Sequence, residues 1–104
     1  MIHFNEIPYE RPDAEAVLSQ YDALTARLRA AKSAEEALSC FSEHETLYRH
    51  IDSMRLYASI RRGLDLNDRF FEGEQEYYCG AAPLWNDKIR GFYRALYDLS
   101  LIHI

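Results

Sequence analysis

Apolar side chains recur every three or four residues between positions 14 and 31, which is the spacing of one face of an α-helix. That face comprises Ala14, Val17, Leu18, Tyr21, Leu24, Leu28 and Ala31. Asp13 directly precedes it and can accept a hydrogen bond from a backbone N–H of the first turn. The pattern therefore predicts a first helix that begins at residue 14, with Asp13 as its N-cap.

A second apolar pattern follows Ser33 and Glu36, which have the spacing of a capping box. Its positions are Leu38, Phe41, Leu47 or Tyr48, Ile51, Met54, Tyr57 or Ala58, and Ile60. Arg61, Arg62 and Gly63 suit the end of this helix, because positive charge and glycine both favour a helix C-terminus. We predict a long second helix from near residue 34 to this Arg-Arg-Gly segment.

Residues 63–68 form a predicted turn in which Asn67 or Asp68 can cap a third helix. The third helix carries Phe70, Phe71, Glu74, Tyr77, Tyr78, Ala81, Leu84, Trp85, Ile89, Phe92 and Leu96. Gly80 and Pro83 lie inside it, and proline removes a backbone donor, so we expect a kink or break near residues 79–83. The predicted fold class is all-α: three long antiparallel helices, the third kinked near Gly80–Pro83.

The charge pattern narrows the classes of partner. The 104-residue chain has a formal net charge of −5, with acidic and basic residues mixed throughout. Nucleic acid is disfavoured, since binding a phosphate backbone needs a basic surface. No apolar run approaches the roughly 20 residues of a membrane-spanning helix. Cys40 and Cys79 lack metal-site or redox spacing, so we interpret both as buried small hydrophobic residues of a cytoplasmic protein.

The last six residues, 99–104, read Leu-Ser-Leu-Ile-His-Ile. This hexapeptide is the translation of CTG-TCT-CTT-ATA-CAC-ATC, a transposon end used in sequencing adapters. We expect it to be adapter read-through, which would leave residues 1–98 as the genuine region, with a parent protein that continues beyond Asp98. The alternative is a short apolar helix end.

Several short motifs follow one another in a particular order between residues 55 and 98. They are Ser59-Ile60-Arg61, Asp65, Asn67-Asp68, Phe70-Phe71, Glu74, Tyr77-Tyr78, Pro83-Leu84 and Phe92-Tyr93-Arg94-Ala95-Leu96. With the lead-in Tyr9-Glu10-Arg11-Pro12-Asp13, this order resembles the oligoendopeptidase F family, zinc metallopeptidases related to thimet oligopeptidase. The resemblance covers about residues 9–98. The sequence departs from the family pattern at Arg62-Gly63 and at Cys79-Gly80-Ala81-Ala82. These departures bear on the assignment to a subfamily and not on the assignment to the family.

The resemblance implies that residues 1–98 are the N-terminal, lid-side helical region of a zinc-dependent oligoendopeptidase. In such an enzyme this region belongs to a larger helical fold and walls a deep substrate channel. The single zinc ion is implied to lie downstream in the parent, so no catalytic, cofactor-binding or metal-binding residue is expected here. The implied partners are the remainder of the peptidase chain and, in the parent, short peptides. The alternative function is a free-standing helical module whose aromatic face binds a partner helix.

The zinc-binding motif of this class of peptidase is incomplete in the sequence. It requires His-Glu-x-x-His on a helix, which projects two histidines from one face. The segment His44-Glu45-Thr46-Leu47-Tyr48 has tyrosine in place of the second histidine. His50 lies six residues after His44, about 240° around a helix at ~100° per residue, so the two rings diverge. We interpret both histidines as solvent-exposed or hydrogen bonded.

Residues 65–76 have the length of a calcium-binding loop but lack part of its pattern. Asp65, Asn67 and Glu76 stand at ligand positions of such a loop, but Arg69 and Phe70 occupy the positions of a ligand and of the required glycine. Helix capping explains the same residues.

The remaining polar and aromatic residues of the third helix also have structural interpretations. We expect Glu72, Glu74 and Glu76 to stabilise the positive end of the helix and face water, since no histidine or arginine partner is nearby in sequence. The aromatic series is expected to pack; it comprises Tyr77, Tyr78, Trp85, Phe92 and Tyr93. In a fragment, we expect an exposed apolar patch around Phe70, Tyr77, Trp85 and Phe92.

Overall fold

Three α-helices follow one another in this computed structural model, which describes residues 9–64 and 69–103. They are α1 (Ala14–Arg29), α2 (Ala34–Leu64) and α3 (Arg69–His103). The described residues contain no strand. The predicted all-α class and the three helices are confirmed.

The direction of each helix follows from contacts between helices. Along α1 and α3 the paired positions rise together, from Lys88–Asp22 at 2.8 Å to Arg29–Asp98 at 3.5 Å. Between α1 and α2 the residue numbers change in opposite directions. The backbone N–H of Glu10, just before α1, donates to Met54 Sδ, whereas Arg27, near the end of α1, pairs with Glu43. Consecutive helices are therefore antiparallel, and α1 and α3 run in the same direction.

The helices form an elongated bundle. Its principal extents are 53 × 27 × 18 Å and its radius of gyration is 16.8 Å, whereas a compact chain of this length has about 13 Å. Despite the length of α2 and α3, no helix in the described part of the chain is long and apolar enough to span a membrane.

Side chains cap the first two helices. Asp13 Oδ1 accepts from the backbone N–H of Ala16 at 2.9 Å, which confirms the predicted N-cap. Ser33 Oγ accepts from the N–H of Glu36 at 3.2 Å, as in a capping box. The Glu36 carboxylate, however, accepts from the N–H of Lys32 at 2.8 Å, one residue before the expected donor. The predicted α3 caps, residues 67 and 68, lie outside the described residues.

Helix α3 continues without interruption through Gly80 and Pro83. A proline at position 83 deprives the Cys79 carbonyl of its helical donor. Cys79, Gly80 and Pro83 are all exposed, so water can reach that carbonyl. The structure therefore selects a continuous helix over a break, and the bend itself stays a prediction.

The core lies mainly between α1 and α3. Helix α1 contributes Val17, Tyr21, Leu24 and Leu28, as its apolar periodicity predicts. Helix α3 contributes Tyr78, Ala81, Trp85, Phe92 and Ala95.

The buried face of α2 agrees with the predicted one in part. Ile51, Met54 and Ala58 are buried, and Phe41 and Leu47 pack against the core, as the apolar pattern predicts. Leu38 is 66% exposed and Ile60 is also exposed, although both were assigned to the apolar face. The face that packs carries Ala37, Cys40, His44, Ile51, Met54 and Ala58. Ala37, Cys40 and His44 are small or polar, so hydropathy alone identifies the packed face incompletely.

The predicted apolar patch is also wrong in its members. Trp85 is 3% exposed and Phe92 is fully buried, because α1 covers them. The Phe70 side chain lies outside the described part of the structure. Among the side chains that the structure describes, the large apolar residues that are exposed are Leu38, Tyr48, Leu56, Ile60, Leu84, Tyr93, Tyr97 and Leu101.

Residues 99–103 continue α3, and Leu99 packs against the core. An apolar extension of any origin can add a turn to a helix, so this contact does not test the adapter interpretation. That interpretation stays a prediction.

Candidate functional site

Glu74, near the start of α3, is a buried carboxylate whose side chain is 2% exposed. Arg11 donates to it from Nη2 at 2.6 Å and from Nε at 3.0 and 3.1 Å to the two carboxylate oxygens. The hydroxyl of Tyr9 donates to the same carboxylate. Charge-assisted bonds of this kind compensate the loss of hydration that burial of a carboxylate entails. They tie the segment before α1 to α3.

Two tyrosines of α3 complete this arrangement. The Tyr78 hydroxyl lies 3.2 Å from that of Tyr9, and the Arg11 guanidinium lies 4.4 Å from the centre of the Tyr77 ring. The Tyr77 hydroxyl donates to the Pro12 carbonyl. We call Tyr9, Arg11, Glu74, Tyr77 and Tyr78 the Glu74 cluster.

The expectation that Glu74 faces water was wrong, whereas Glu72 and Glu76 are exposed. The cause is the partner: Arg11 is 63 positions away in the sequence, so local spacing gives no sign of it. Position 74 also lies four residues before the buried Tyr78, and this spacing places both residues on the face of α3 that packs.

The electrostatics of the Glu74 cluster favour one ion pair among neutral phenols. The hydrogen bond with Glu74 raises the pKa of Arg11, and burial raises the pKa of Tyr77 and Tyr78. Burial, followed by the bond to Glu74, raises the pKa of Tyr9 far above its usual range. None of these three tyrosines is prepared to act as a base near neutral pH.

A second buried polar group, His44, lies in the N-terminal half of α2 and is 3% exposed. Its Nδ1 is 2.9 Å from the Tyr21 hydroxyl on α1, and its Nε2 is 3.0 Å from the Tyr93 hydroxyl on α3. The ring stacks on Phe92 at a centroid distance of 4.9 Å. We call Tyr21, His44 and Tyr93 the His44 cluster; it contains one residue from each helix.

Both nitrogens of His44 are occupied by hydrogen bonds, so neither is directed at a vacant coordination position. Burial lowers the pKa of His44, and the charge of Glu45 opposes this effect. His50 is exposed and lies on a groove between α1 and α2. In the described ranges, no three His, Cys, Asp or Glu side chains are grouped so that they could hold a metal ion. The residues that the structure describes therefore do not fit a zinc site.

The family model described as the peptidase M3 N-terminal domain matches residues 4–102. The chain belongs to the peptidase M3 N-terminal domain family. This confirms the predicted relationship to peptidases of the thimet oligopeptidase kind. No curated protein and no solved structure gives a significant match.

In this M3 N-terminal domain, the two separate stretches that carry the family resemblance meet in space. The lead-in motif contains Tyr9 and Arg11, and the third-helix motifs contain Glu74, Tyr77 and Tyr78. All five belong to the Glu74 cluster. Residues of two motifs that are far apart in the sequence therefore pack against each other in the fold.

The two cysteines of the M3 N-terminal domain have different surroundings. Cys40 is buried, as expected, but Cys79 is exposed, so the expectation for Cys79 was wrong. Position 79 follows the buried Tyr78 by one residue, which turns it about 100° away from the packed face. For the calcium interpretation, Glu76 is exposed, while residues 65 and 67 lie outside the described residues.

The aromatic series of α3 packs for the most part, as predicted. Tyr78, Trp85 and Phe92 are buried, and Trp85 Nε1 donates to the Ala14 carbonyl at 3.3 Å. Tyr93 is 45% exposed and is held through its hydroxyl by His44. A sequence pattern of aromatic residues indicates packing but does not reveal such a polar contact.

Open grooves run between the helices of the M3 N-terminal domain. The groove between α2 and α3 has a volume of about 420 Å³ and includes Arg55, Ser59, Gln75 and Asn86. A groove of about 630 Å³ lies between α1 and α2. Ser42, Glu43 and His50 all line the second groove, and no hydrogen bond joins the His50 ring to either of the other two side chains among the described residues.

Proposed function

We propose that this chain is the non-catalytic N-terminal region of a zinc-dependent oligoendopeptidase that hydrolyses short peptides in the cytoplasm. The observation that carries the proposal is the family match over residues 4–102. In this proposal the chain forms part of the wall of a substrate channel, and the zinc ion is held by other residues of the parent.

The two polar clusters support a structural role for this region. The carboxylate of Glu74 and both nitrogens of His44 are engaged by side chains of the same chain. Groups committed to internal bonds stabilise the arrangement of helices and leave the chemistry to another part of the enzyme. Because the described residues do not fit a zinc site, the catalytic step in this proposal belongs to other residues of the parent.

The partner in this proposal is the remainder of the peptidase chain. Exposed apolar side chains on α2 and α3 offer a surface for that partner: Leu38, Tyr48, Tyr93 and Tyr97. Exposed apolar groups concentrated on neighbouring helices are typical of a surface that another element covers.

The same surface favours a second candidate function, a free-standing helical module that binds a partner helix. The two candidates differ in one respect that can be tested. A peptidase region requires a metal-dependent hydrolytic activity in the longer protein, whereas an interaction module requires none.

The experiment compares the longer protein encoded by the source DNA with the 104-residue chain alone. Each is incubated with a short internally quenched peptide and with a folded protein substrate. We expect the longer protein to cleave the peptide only, to lose activity with a zinc chelator, and to regain it with added Zn²⁺. We expect the 104-residue chain to be inactive. Hydrolysis by the short chain, or none by the zinc-loaded longer protein, would contradict the proposal.

The channel-wall role needs its own readout. Hydroxyl-radical footprinting of the longer protein, with and without a bound non-cleavable peptide, should show protection along one face of this region. Equal labelling in both states would remove the channel role and leave the peptidase assignment intact.

A further inference from the structure

We propose that the His44 cluster is a pH-sensitive joint, in which a neutral imidazole holds the three helices together and protonation loosens them. The proposal concerns the described residues alone and does not depend on the peptidase assignment. Its basis is the position of one titratable ring between hydroxyl groups of two other helices.

The hydrogen-bond inventory gives the first reason. A neutral imidazole has one N–H and one lone pair, so one tyrosine hydroxyl accepts from it and the other donates to it. A protonated ring has two N–H groups, and both hydroxyls must then accept. The Tyr21 O–H would need a new acceptor, yet Tyr21 is fully buried and has no second hydrogen-bond partner in the part of the chain described. A buried donor without an acceptor is destabilising.

The outer partner does not share this problem. Tyr93 is 45% exposed, so its hydroxyl hydrogen can turn toward water when its oxygen accepts from His44. The cost of protonation therefore falls on the contact between α1 and α2.

The charges around the ring give the second reason. The groups that contact it or act on it are Tyr21 from α1, Phe41, Glu45 and Tyr48 from α2, and Phe92 and Tyr93 from α3. Of these, Glu45 alone is an acid, and it bonds Arg49 at 3.2 Å. A positive charge on His44 would thus be buried with little compensation.

The direction of the pH effect follows from linkage. Burial places the pKa of His44 in the folded state below its ordinary value of 6.5. The unfolded chain then binds a proton at a higher pH than the folded chain does. Stability is therefore fully present above pH 6.5 and is lost as the pH falls from 6.5 toward the folded-state pKa.

The test measures the folding equilibrium constant of the 104-residue chain by chemical denaturation at pH 7.5 and pH 5.5. The variants are His44→Gln, which keeps a donor and an acceptor without titrating, and His50→Gln on the exposed face of the same helix. On going from pH 7.5 to pH 5.5, the folding equilibrium constant of each variant decreases by some factor. We expect this factor to be roughly three to ten times larger for the wild type and for His50→Gln than for His44→Gln.

A second measurement does not depend on the folding of a variant. The ring protons of His44 are followed by NMR across the same pH range in the wild-type chain. We expect the His44 ring to titrate below pH 6.5. Titration at or above pH 6.5, or equal pH dependence in the wild type and His44→Gln, would overturn the proposal.

Discussion

The Glu74 and His44 clusters solve the same problem in different ways. Each buries a titratable side chain and surrounds it with tyrosine hydroxyls. Glu74 is partnered by a cation, Arg11, from the segment before α1. Among the described residues, His44 forms no ion pair; its hydrogen bonds are to two tyrosine hydroxyls, and its ring stacks on Phe92.

The charge and the location of each cluster determine how it behaves. An ion pair keeps its contacts as long as both partners stay charged, and it depends strongly on either partner. A neutral imidazole between phenols depends on its protonation state, near the pH at which histidine ordinarily titrates. We expect the first cluster to fix the N-terminal segment and the second to respond to pH.

The largest expected effect in this comparison comes from Arg11→Met. Methionine retains apolar contact with Tyr77 but leaves the buried carboxylate of Glu74 without a cation. We expect a loss of about 2 kcal/mol in the free energy of unfolding, less than for a pair in which both partners are buried, because the Arg11 side chain is half exposed. Urea denaturation at pH 7 measures it.

The matched control for Arg11→Met is Arg49→Met, which removes an exposed pair with Glu45. We expect the control to change stability by less than about 0.5 kcal/mol. Equal losses in the two variants would mean that the Glu74 cluster is no more than a surface contact.

An intermediate effect is expected within the His44 cluster. Tyr21→Phe removes a buried hydroxyl and should cost about 1–1.5 kcal/mol, because water cannot replace it. Tyr93→Phe removes a hydroxyl that water can replace, and should cost less than half as much. Thermal melts of both variants at pH 7.5 test this order. A larger loss for Tyr93→Phe would place the important contact on α3 instead of α1.

The smallest expected effect is that of salt. Raising NaCl to 1 M screens exposed pairs such as Arg27–Glu43 but acts weakly on a pair with a buried carboxylate. The stability difference between wild type and Arg11→Met should therefore change by less than about 0.5 kcal/mol. If high salt abolished the difference, the Glu74 pair would have to be open to solvent.

The sequence predicts the parts of this fold that depend on neighbouring residues. The Asp13 cap and the packed face of α1 follow from spacing alone, and both are confirmed. The packed face of α2 could be predicted only in part. Ile51, Met54 and Ala58 follow from the apolar pattern, whereas Ala37, Cys40 and His44 do not, because they are less apolar than the exposed Leu38.

The two polar clusters could be predicted only in part, because their contacts join distant positions. Arg11 and Glu74 are 63 residues apart, and His44 and Tyr93 are 49 apart. The sequence predicts that His44 is either exposed or hydrogen bonded, and the structure shows that it is buried and hydrogen bonded. The family, in contrast, could be predicted from the order of several motifs along the chain.

We propose that this M3 N-terminal domain belongs to a zinc oligoendopeptidase and that the catalytic residues lie in another part of the parent protein. The most direct test of this proposal is to sequence the source DNA past the codon for Asp98. We expect an open reading frame that continues to a His-Glu-x-x-His helix and a later glutamate ligand. A stop codon directly after Asp98 would contradict the proposal and favour a small helical interaction module.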